Sequence, residues 1–181
     1  MKQQINAFDY AGHICSVMKK GILLTTKTGE KVNTMTIGWG TIGIEWGKPI
    51  FVAYVRVGRH TRQMLDETGE FTINVPYGDV DSKILGVCGT KSGRDTDKIA
   101  ELDLDLVDSD VVSVPGIRQL PLTLECKVLC RHTQNIPMLP EPILNRYYPK
   151  GVDSSNPGSN EDFHIAYYGE IVNAYLITEE T

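Results

Sequence analysis

A glycine-rich basic segment at residues 88–95 contains the residue types that bind anions. It holds two glycines, two hydroxyl side chains and two cations within eight residues. Glycines let backbone N–H groups turn towards an anion, while Lys91 and Arg94 supply charge. The segment lacks the spacing of a P-loop. An exposed turn in which Ser92 or Asp95 caps the following helix is the alternative, and the segment alone does not decide between the two.

A second candidate anion site lies at residues 56–61. Arg56, Arg59 and Thr61 stand where strand-forming residues give way to a helical pattern. The N–H groups of a helix N-terminus and two guanidinium groups can converge on a phosphomonoester. Solvated arginines and a threonine N-cap are the alternative. Two turns rich in glycine and cations, in a chain of net charge −5, favour a ligand that carries phosphate.

Residues 33–36 are short polar residues beside one apolar residue, on a segment with strand character that precedes Trp39. A flavin ring needs such a mixture, because its edge forms hydrogen bonds and its face packs against apolar surface. Without the other segments, this pattern indicates only an amphipathic strand.

Residues 38–43 match the Gly-x-Gly-x-x-Gly pattern of dinucleotide-binding folds. A Rossmann unit requires a helix directly after these glycines, but Trp46 to Pro49 intervene and strand character resumes. We therefore interpret the glycines as positions where a strand bends or approaches a flat ligand.

The four histidines are scattered, and His164 has no partner at metal-site spacing. We therefore predict no metal site. A single histidine beside Tyr167 and Tyr168 is more often a structural residue than a catalyst, although a ligand pocket on this strand is compatible with it. Nucleophile-elbow and zinc-protease motifs do not occur, so hydrolase functions have no support.

Composition predicts one soluble globular domain over residues 1–181, with 41% hydrophobic and 23% charged residues. The net charge of −5 argues against nucleic acid as the main partner. The sequence shows neither a secretory signal nor an apolar run long enough to span a membrane. The four cysteines lack metal-type pairing, and we expect buried, reduced thiols in a cytoplasmic protein.

Residue patterns predict strands at 22–26, 33–42, 50–55 and 70–75. Helices are predicted at 61–67, ending at Gly69, at 81–87, and from 95 or 96 to 102. Alternation over 122–130 predicts a long half-buried strand, and a last strand over 163–177 should bend at Gly169. The stretch at 135–162, rich in Pro, Gly, Ser and Asn, is expected to be a surface excursion, a lid or part of a partner contact.

Many strands with few short helices predict a mainly β fold, a closed or nearly closed antiparallel barrel without exposed sheet edges. In this order the segments resemble the flavin reductase-like family of FMN-binding split barrels, which includes flavoredoxin. The resemblance spans nearly the whole chain. Its residues are 33–36 with Trp39, Lys48 and Pro49 before the strand that ends at Arg56, 59–61, 88–95 with Asp97 and Lys98, and His164 with Gly169 and Glu170.

The resemblance implies an antiparallel, Greek-key-like split β-barrel that forms a homodimer, with FMN at the subunit boundary. At the isoalloxazine ring it implies Asn33, Thr34, Met35 and Thr36, with His164 nearby. Towards the ribityl phosphate it implies Arg56, Arg59, His60 and Thr61. Further backbone and hydroxyl contacts are implied for Cys88, Gly89, Thr90, Lys91 and Ser92. Cys88 is expected to act through its backbone and not as a redox centre.

The implied activity is an NAD(P)H-dependent flavin reductase in which the cofactor carries the chemistry, so no side chain is nominated as catalytic. Electrons would pass to free flavin, another small molecule or a protein partner. An FMN electron-transfer protein that does not oxidise NAD(P)H is one alternative. A non-enzymatic barrel that binds another phosphate-bearing ligand is the other.

Overall fold

The structure is a computed structural model that describes residues 1–156 and 158–178. Within this part of the chain the strands are β1 (Lys2–Gln4), β2 (Ile22–Thr28), β3 (Lys31–Ile37), β4 (Gly40–Glu45), β5 (Lys48–Arg56), β6 (Glu70–Val75), β7 (Leu106–Val107), β8 (Gly116–Ile117), β9 (Leu122–Thr133) and β10 (His164–Ile177). The α-helices are α1 (Ala11–Met18), α2 (His60–Thr68), α3 (Ser82–Thr90), α4 (Lys98–Glu101) and α5 (Glu141–Tyr147). Single turns of 3₁₀ helix lie at Ala7–Tyr10 and Ile136–Met138.

One antiparallel sheet dominates the fold. Its strands follow the order β3-β2-β6-β9-β10-β5-β4, β1 is added to β10, and β7 and β8 form a separate ribbon. No ladder pairing joins the two end strands, β3 and β4, in the residues that the structure describes. The expected mainly β, antiparallel architecture with few short helices is confirmed. The sheet is not closed by backbone pairing between β3 and β4 in the described residues.

The central core packs apolar residues from the inner face of this sheet against α1 and α2, around Phe51, Phe71 and Tyr167. A smaller cluster, with Leu23 and Cys88, packs α3 against the other face of β2. Both clusters lie beside the end of β3, so the residues that follow β3 are held between two packed helices.

Several predicted elements have the expected bounds. Strand β6 covers residues 70–75, and α2 ends at Gly69, whose φ of 66° is the left-handed conformation that glycine adopts without strain. The final strand shifts register between Tyr168 and Gly169, which confirms the bend. A side chain on Gly169 would collide with the ring of Phe71.

Three predicted elements differ from the structure. The strand expected over 33–42 is divided by Gly38 and Trp39 into β3 and β4. Helix α3 continues to Thr90, and so includes three residues of the glycine-rich segment. Helix α4 starts later than expected, because the carboxylate of Asp97 accepts hydrogen bonds from the N–H groups of Ile99 and Ala100 and fixes the N-terminus there.

The expected half-buried character of β9 is wrong for its first five residues, which are buried on both faces. Thr123 and Glu125 are fully buried although they alternate with the apolar positions. The cause is the segment before β8: the Glu125 carboxylate accepts N–H bonds from residues 110, 111 and 112 at 2.7 to 3.0 Å. This segment covers the outer face that alternation assigned to solvent.

All four cysteines are free. Cys88 and Cys126 are buried as expected, but Cys15 is exposed, because α1 buries Ile14 and Met18 and turns Cys15 outwards. In the described residues, no helix is long and apolar enough to cross a membrane.

Candidate functional site

The main site candidate is a cavity of about 390 Å³ that we call the glycine-loop cavity. It lies where the end of β3, the start of α2, the last turn of α3 and the segment before α4 meet. The sequence-predicted residues that line it are Asn33, Met35, Thr36, Arg59, His60, Thr61, Cys88, Gly89, Thr90, Lys91 and Ser92. Gly58, Gly93, Arg94, Asp95, Lys98, Ser154 and Ser155 complete the lining. The fold therefore brings the two candidate anion segments together.

Lys98 is the most informative residue of this cavity. It is only 3% exposed, and its Nζ donates one hydrogen bond, to the carbonyl oxygen of Lys91 at 3.2 Å. It forms no ion pair with a carboxylate in the part of the chain described. Burial lowers the pKa of Lys98, the neighbouring Cys88 opposes that effect, and Arg59 adds to it. A buried ammonium group with spare donors is costly unless an anion accompanies it.

The electrostatic balance of the lining supports an anionic ligand. Arg59, Lys91, Arg94 and Lys98 are its cations, whereas Asp95 is its one carboxylate residue in the described chain. The protein as a whole carries a net charge of −5. Such a local excess of positive charge in an acidic protein is expected where an anion binds.

The N-terminus of α2 forms one wall. Arg59 is the N-cap residue and, with His60 and Thr61, lines the cavity, so the helix begins at the cavity with N–H groups that lack partners within the helix. The buried hydroxyl of Thr61 accepts a hydrogen bond from Nδ2 of Asn33 at 2.9 Å, and its own proton is left to donate. Burial lowers the pKa of Arg59, and the nearby carboxylate of Asp162 opposes that effect. Asn33 thus orients Thr61.

His60 lines the same wall as a neutral ring. Its Nδ1 lies 3.3 Å from Oε1 of Gln63, while its Nε2 is buried without a partner in the described residues. Burial lowers the pKa of His60, and the cations of Lys31 and Arg94 lower it further, against the hydrogen bond to Gln63. The buried Nε2 is thus a polar atom of this cavity that has no partner among the described residues.

The glycine-rich segment differs from the expected open anion loop. Cys88, Gly89 and Thr90 form the last turn of α3, so their N–H groups serve the helix, and the expected backbone donation by Cys88 is wrong. The Thr90 hydroxyl donates to the carbonyl of Gly86. Burial raises the pKa of the Cys88 thiol to about 11. Its sulfur is therefore protonated at neutral pH and unreactive.

The exposed cations of this segment already have partners. Lys91 pairs with Glu101, and Arg94 donates to the carbonyl of Gly58 at 3.1 Å, which ties the segment to the start of α2. Gly93 is packed so closely against Asn33 that a side chain there would collide with its amide. The need for glycine at position 93 is thus steric, because the loop lies directly on β3.

A second cavity of about 230 Å³ adjoins the first and shares Met35, Thr36 and Arg59 with it. We call it the aromatic cavity, since Trp39, Tyr54, Tyr147 and His164 line it. The ring centroids of Trp39 and His164 are 4.6 Å apart, and Tyr147 meets Trp39 edge to face at 5.0 Å. Burial lowers the pKa of His164 to about 3, helped by the charges of Arg56 and Arg59. His164 is therefore neutral at physiological pH.

Arg56 has a different role from the one expected. It is 6% exposed, and its guanidinium donates to the carbonyl oxygens of Tyr147 at 2.9 Å, Asn160 at 3.1 Å and Asp162 at 2.5 Å. These acceptors belong to the segment at 135–162, which carries Ser154 and Ser155 to one cavity and Tyr147 to the other. Arg56 therefore anchors that segment.

Thr34 lines neither cavity. Its fully buried hydroxyl donates to the carbonyl of Leu24 and accepts from the hydroxyl of Thr25, both on β2. The hydroxyl of Thr36 reaches both cavities, but its proton is donated to the carbonyl of Leu85 at 2.7 Å, which leaves its oxygen as an acceptor.

Four lining residues were not nominated as site residues from the sequence, although two of them, Lys98 and Trp39, belong to the family resemblance. Lys98 had a signal, because a lysine directly after an N-cap aspartate puts positive charge at the positive end of a helix and must serve another purpose. Trp39 also had a signal, because it stands between two glycines at a position where the strand is expected to bend or to approach a flat ligand. Ser154 and Ser155 had no local signal, since their place depends on the distant anchor Arg56.

Fold and site together define a flavin reductase-like domain, and comparison with known proteins agrees. The family model described as "Flavin reductase like domain" matches residues 17–181. The chain therefore belongs to this family.

Individual relatives are distant. A curated uncharacterized protein from Archaeoglobus fulgidus is 33% identical over 100 residues, which are 55% of each chain. The chain thus spans little more than half the length of the curated relatives it matches. Among solved structures, flavoredoxin from Methanosarcina acetivorans is 23% identical with a TM-score of 0.63, covering 89% of this chain and 70% of its own. An NADH:FAD oxidoreductase from Streptomyces globisporus is 16% identical with a TM-score of 0.61, covering 87% and 75%. These likenesses show the fold.

Proposed function

We propose that this protein is an FMN-dependent oxidoreductase that takes a hydride from NADH or NADPH and passes electrons to free flavin, another small molecule or a protein partner. The observation that carries the proposal is the buried ammonium of Lys98 in a cavity joined to a second, aromatic one. A flavin mononucleotide matches both, because it has a phosphate at one end and a planar ring at the other. The family to which the chain belongs supports the same cofactor class.

The glycine-loop cavity holds the phosphate in this proposal. Lys98 and Arg59 supply the charge, and Thr61 supplies a hydroxyl donor fixed by Asn33. Charge-assisted hydrogen bonds of this kind are stronger than neutral ones. The segment at 135–162 adds Ser154 and Ser155 to the lining. This set of donors suits a single phosphate and therefore favours FMN over a flavin without phosphate.

The ring end lies towards Met35 and Thr36, the two lining residues of β3 that both cavities share. The apolar side chain of Met35 offers packing surface, and the Thr36 oxygen can accept a hydrogen bond. When bound, FMN supplies the redox chemistry, because it accepts a hydride and returns electrons singly or in pairs. The aromatic cavity then gives a planar co-substrate access beside the ring, with Trp39 and Tyr147 excluding water.

Anaerobic mixing tests the proposal directly. Purified protein reconstituted with FMN is mixed with NADH or NADPH, and the visible absorbance of the bound flavin is followed. We expect the flavin to bleach with a rate that saturates with dinucleotide. Free FMN at the same concentration is the control for the uncatalysed reaction. A bound flavin that stays oxidised with both dinucleotides, but is reduced by dithionite, refutes the reductase activity and supports an electron-transfer flavoprotein.

A homodimer with FMN at the subunit boundary is part of the same proposal, on the strength of the family resemblance. Light scattering of the protein at several concentrations tests it, and a monomer that binds FMN with full affinity would contradict it. Protein that takes up no FMN would favour a barrel that binds a different phosphate-bearing ligand.

A further inference from the structure

His164 is held on both sides by contacts that fix its orientation. Its ring stacks at a tilt on Trp39, with centroids 4.6 Å apart, and meets Tyr148 nearly perpendicularly at 5.6 Å. Its Nδ1 lies 2.8 Å from the hydroxyl oxygen of Tyr148. The carbonyl oxygen of His164 also accepts the backbone N–H of Gln134 at 3.1 Å. These contacts direct Nδ1 of the ring towards Tyr148.

The same hydroxyl determines which nitrogen carries the proton. Tyr148 donates to Oε1 of Gln134 at 2.7 Å, and a hydroxyl has only one proton to give. The remaining bond to His164 must therefore run the other way, from Nδ1–H to the Tyr148 oxygen. In a neutral imidazole this leaves Nε2 with a lone pair.

Nε2 is the free end of this chain of hydrogen bonds. It has no hydrogen-bond partner among the described residues and is not fully buried. The ring to which it belongs lines the aromatic cavity. The low pKa of His164, about 3, keeps Nε2 unprotonated at physiological pH. A ligand in this cavity therefore meets an acceptor at all ordinary pH values.

We propose that Tyr148 and Gln134 are positioning residues that lock His164 in the Nδ1–H tautomer, so that Nε2 accepts a hydrogen bond from the carboxamide N–H of the reduced nicotinamide in the aromatic cavity. The tautomer follows from the geometry alone, whereas the choice of ligand rests on the proposed function. Arg56 helps to hold Tyr148 in place, because its guanidinium lies over the Tyr148 ring, 5.2 Å from the ring centroid.

Nitrogen NMR tests the tautomer without any ligand. Protein labelled with ¹⁵N-histidine gives separate signals for protonated and unprotonated ring nitrogens, and the His164 signals are assigned by their loss in His164→Phe. We expect a protonated Nδ1 and an unprotonated Nε2 in the wild type, and a changed pattern in Tyr148→Phe. Gln134→Glu, which can only accept, should keep the wild-type pattern, whereas Gln134→Leu should not. A protonated Nε2 in the wild type overturns the proposal.

Kinetics test the ligand. Reduced 3-acetylpyridine adenine dinucleotide replaces the carboxamide NH₂ by a methyl group and so removes the donor. We expect the preference in kcat/KM for NADH over this analogue to fall roughly 3- to 10-fold in Tyr148→Phe, the value of one neutral hydrogen bond, while FMN affinity stays unchanged. The differing reduction potentials of the two dinucleotides cancel in this comparison of ratios.

Two results would overturn the ligand assignment. One is an unchanged preference in a Tyr148→Phe protein whose tautomer has shifted. The other is a loss of FMN affinity, which would mean that Nε2 serves the flavin. A protein that oxidises neither dinucleotide refutes the proposed function and this assignment together, and the nitrogen signals still decide the tautomer.

Discussion

Replacing Lys98 by methionine tests the anion site most sharply. The substitution keeps the length and apolar stem of the side chain and removes only the ammonium. A hydrogen bond that involves a charged group contributes about 1.5–3 kcal/mol, so FMN should bind roughly 10- to 150-fold more weakly. Riboflavin, which has the ring and the ribityl chain but no phosphate, should bind equally well to Lys98→Met and wild type.

Titration of the apoprotein with each flavin, followed by quenching of flavin fluorescence, measures both affinities. Lys83→Met is the matched control, because Lys83 is an exposed lysine of α3 that lines neither cavity. We expect it to leave the FMN affinity within about twofold. If Lys98→Met lowered the affinities for FMN and for riboflavin equally, Lys98 would support the structure of the site and would not bind the phosphate.

The stability of the apoprotein gives an independent check. Because burial lowers the pKa of Lys98 below its ordinary value of 10.5, the unfolded chain binds more protons than the folded one at alkaline pH. This group's contribution to the free energy of unfolding therefore rises as pH increases towards 10.5. Urea unfolding at pH 7.5 and 10 should show that rise as a difference between wild type and Lys98→Met. If Lys98→Met were less stable than wild type at pH 7.5, the buried ammonium of Lys98 would not be a cost to the apoprotein, which would contradict this reasoning.

Four further substitutions separate the roles of neighbouring residues. Arg59→Ala should weaken FMN binding by about 1.5–3 kcal/mol in fluorescence titration and leave riboflavin binding unchanged. Thr61→Val should cost about 1.5–3 kcal/mol in the same assay, since it keeps the shape of the side chain and removes one hydroxyl donor to the charged phosphate. Cys88→Ala should retain flavin reduction, as expected for a thiol with a pKa near 11, and loss of turnover with FMN still bound would point to a redox role. Arg56→Ala should lower the free energy of unfolding by about 2–4 kcal/mol in urea, because several buried carbonyl oxygens lose their donor, and intact stability would show that the anchor is dispensable.

Local signals in the sequence account for much of the sheet. Helix α2 was bounded correctly because Gly69 gives a clear stop, and β6 follows it directly. Residues 33, 35 and 36 were placed at the site because they combine short polar side chains with an apolar one and match the family resemblance. Such features depend on neighbours within a few residues, so one sequence suffices to predict them.

Features that depend on distant contacts were missed or misassigned. Alternation in β9 predicted an exposed face, but the buried Glu125 holds another segment over it. Arg56 and Arg59 looked equivalent, yet one binds the carbonyl groups of a segment about 100 residues away while the other caps a helix at the cavity. Cys88 was placed in a loop because two glycines follow closely, but packing of α3 on β2 and β3 extends the helix through it.

The excursion at 135–162 couples the two cavities. Ser154 and Ser155 of this segment line the glycine-loop cavity, and its Tyr147 lines the aromatic cavity. Arg56 holds the segment in place through hydrogen bonds to its carbonyl groups. A change at Arg56 must therefore disturb phosphate, ring and co-substrate together, whereas a change at Lys98 disturbs the phosphate alone. The affinity for riboflavin distinguishes these cases, since it stays near the wild-type value when only a phosphate donor is lost and falls when the shared wall moves.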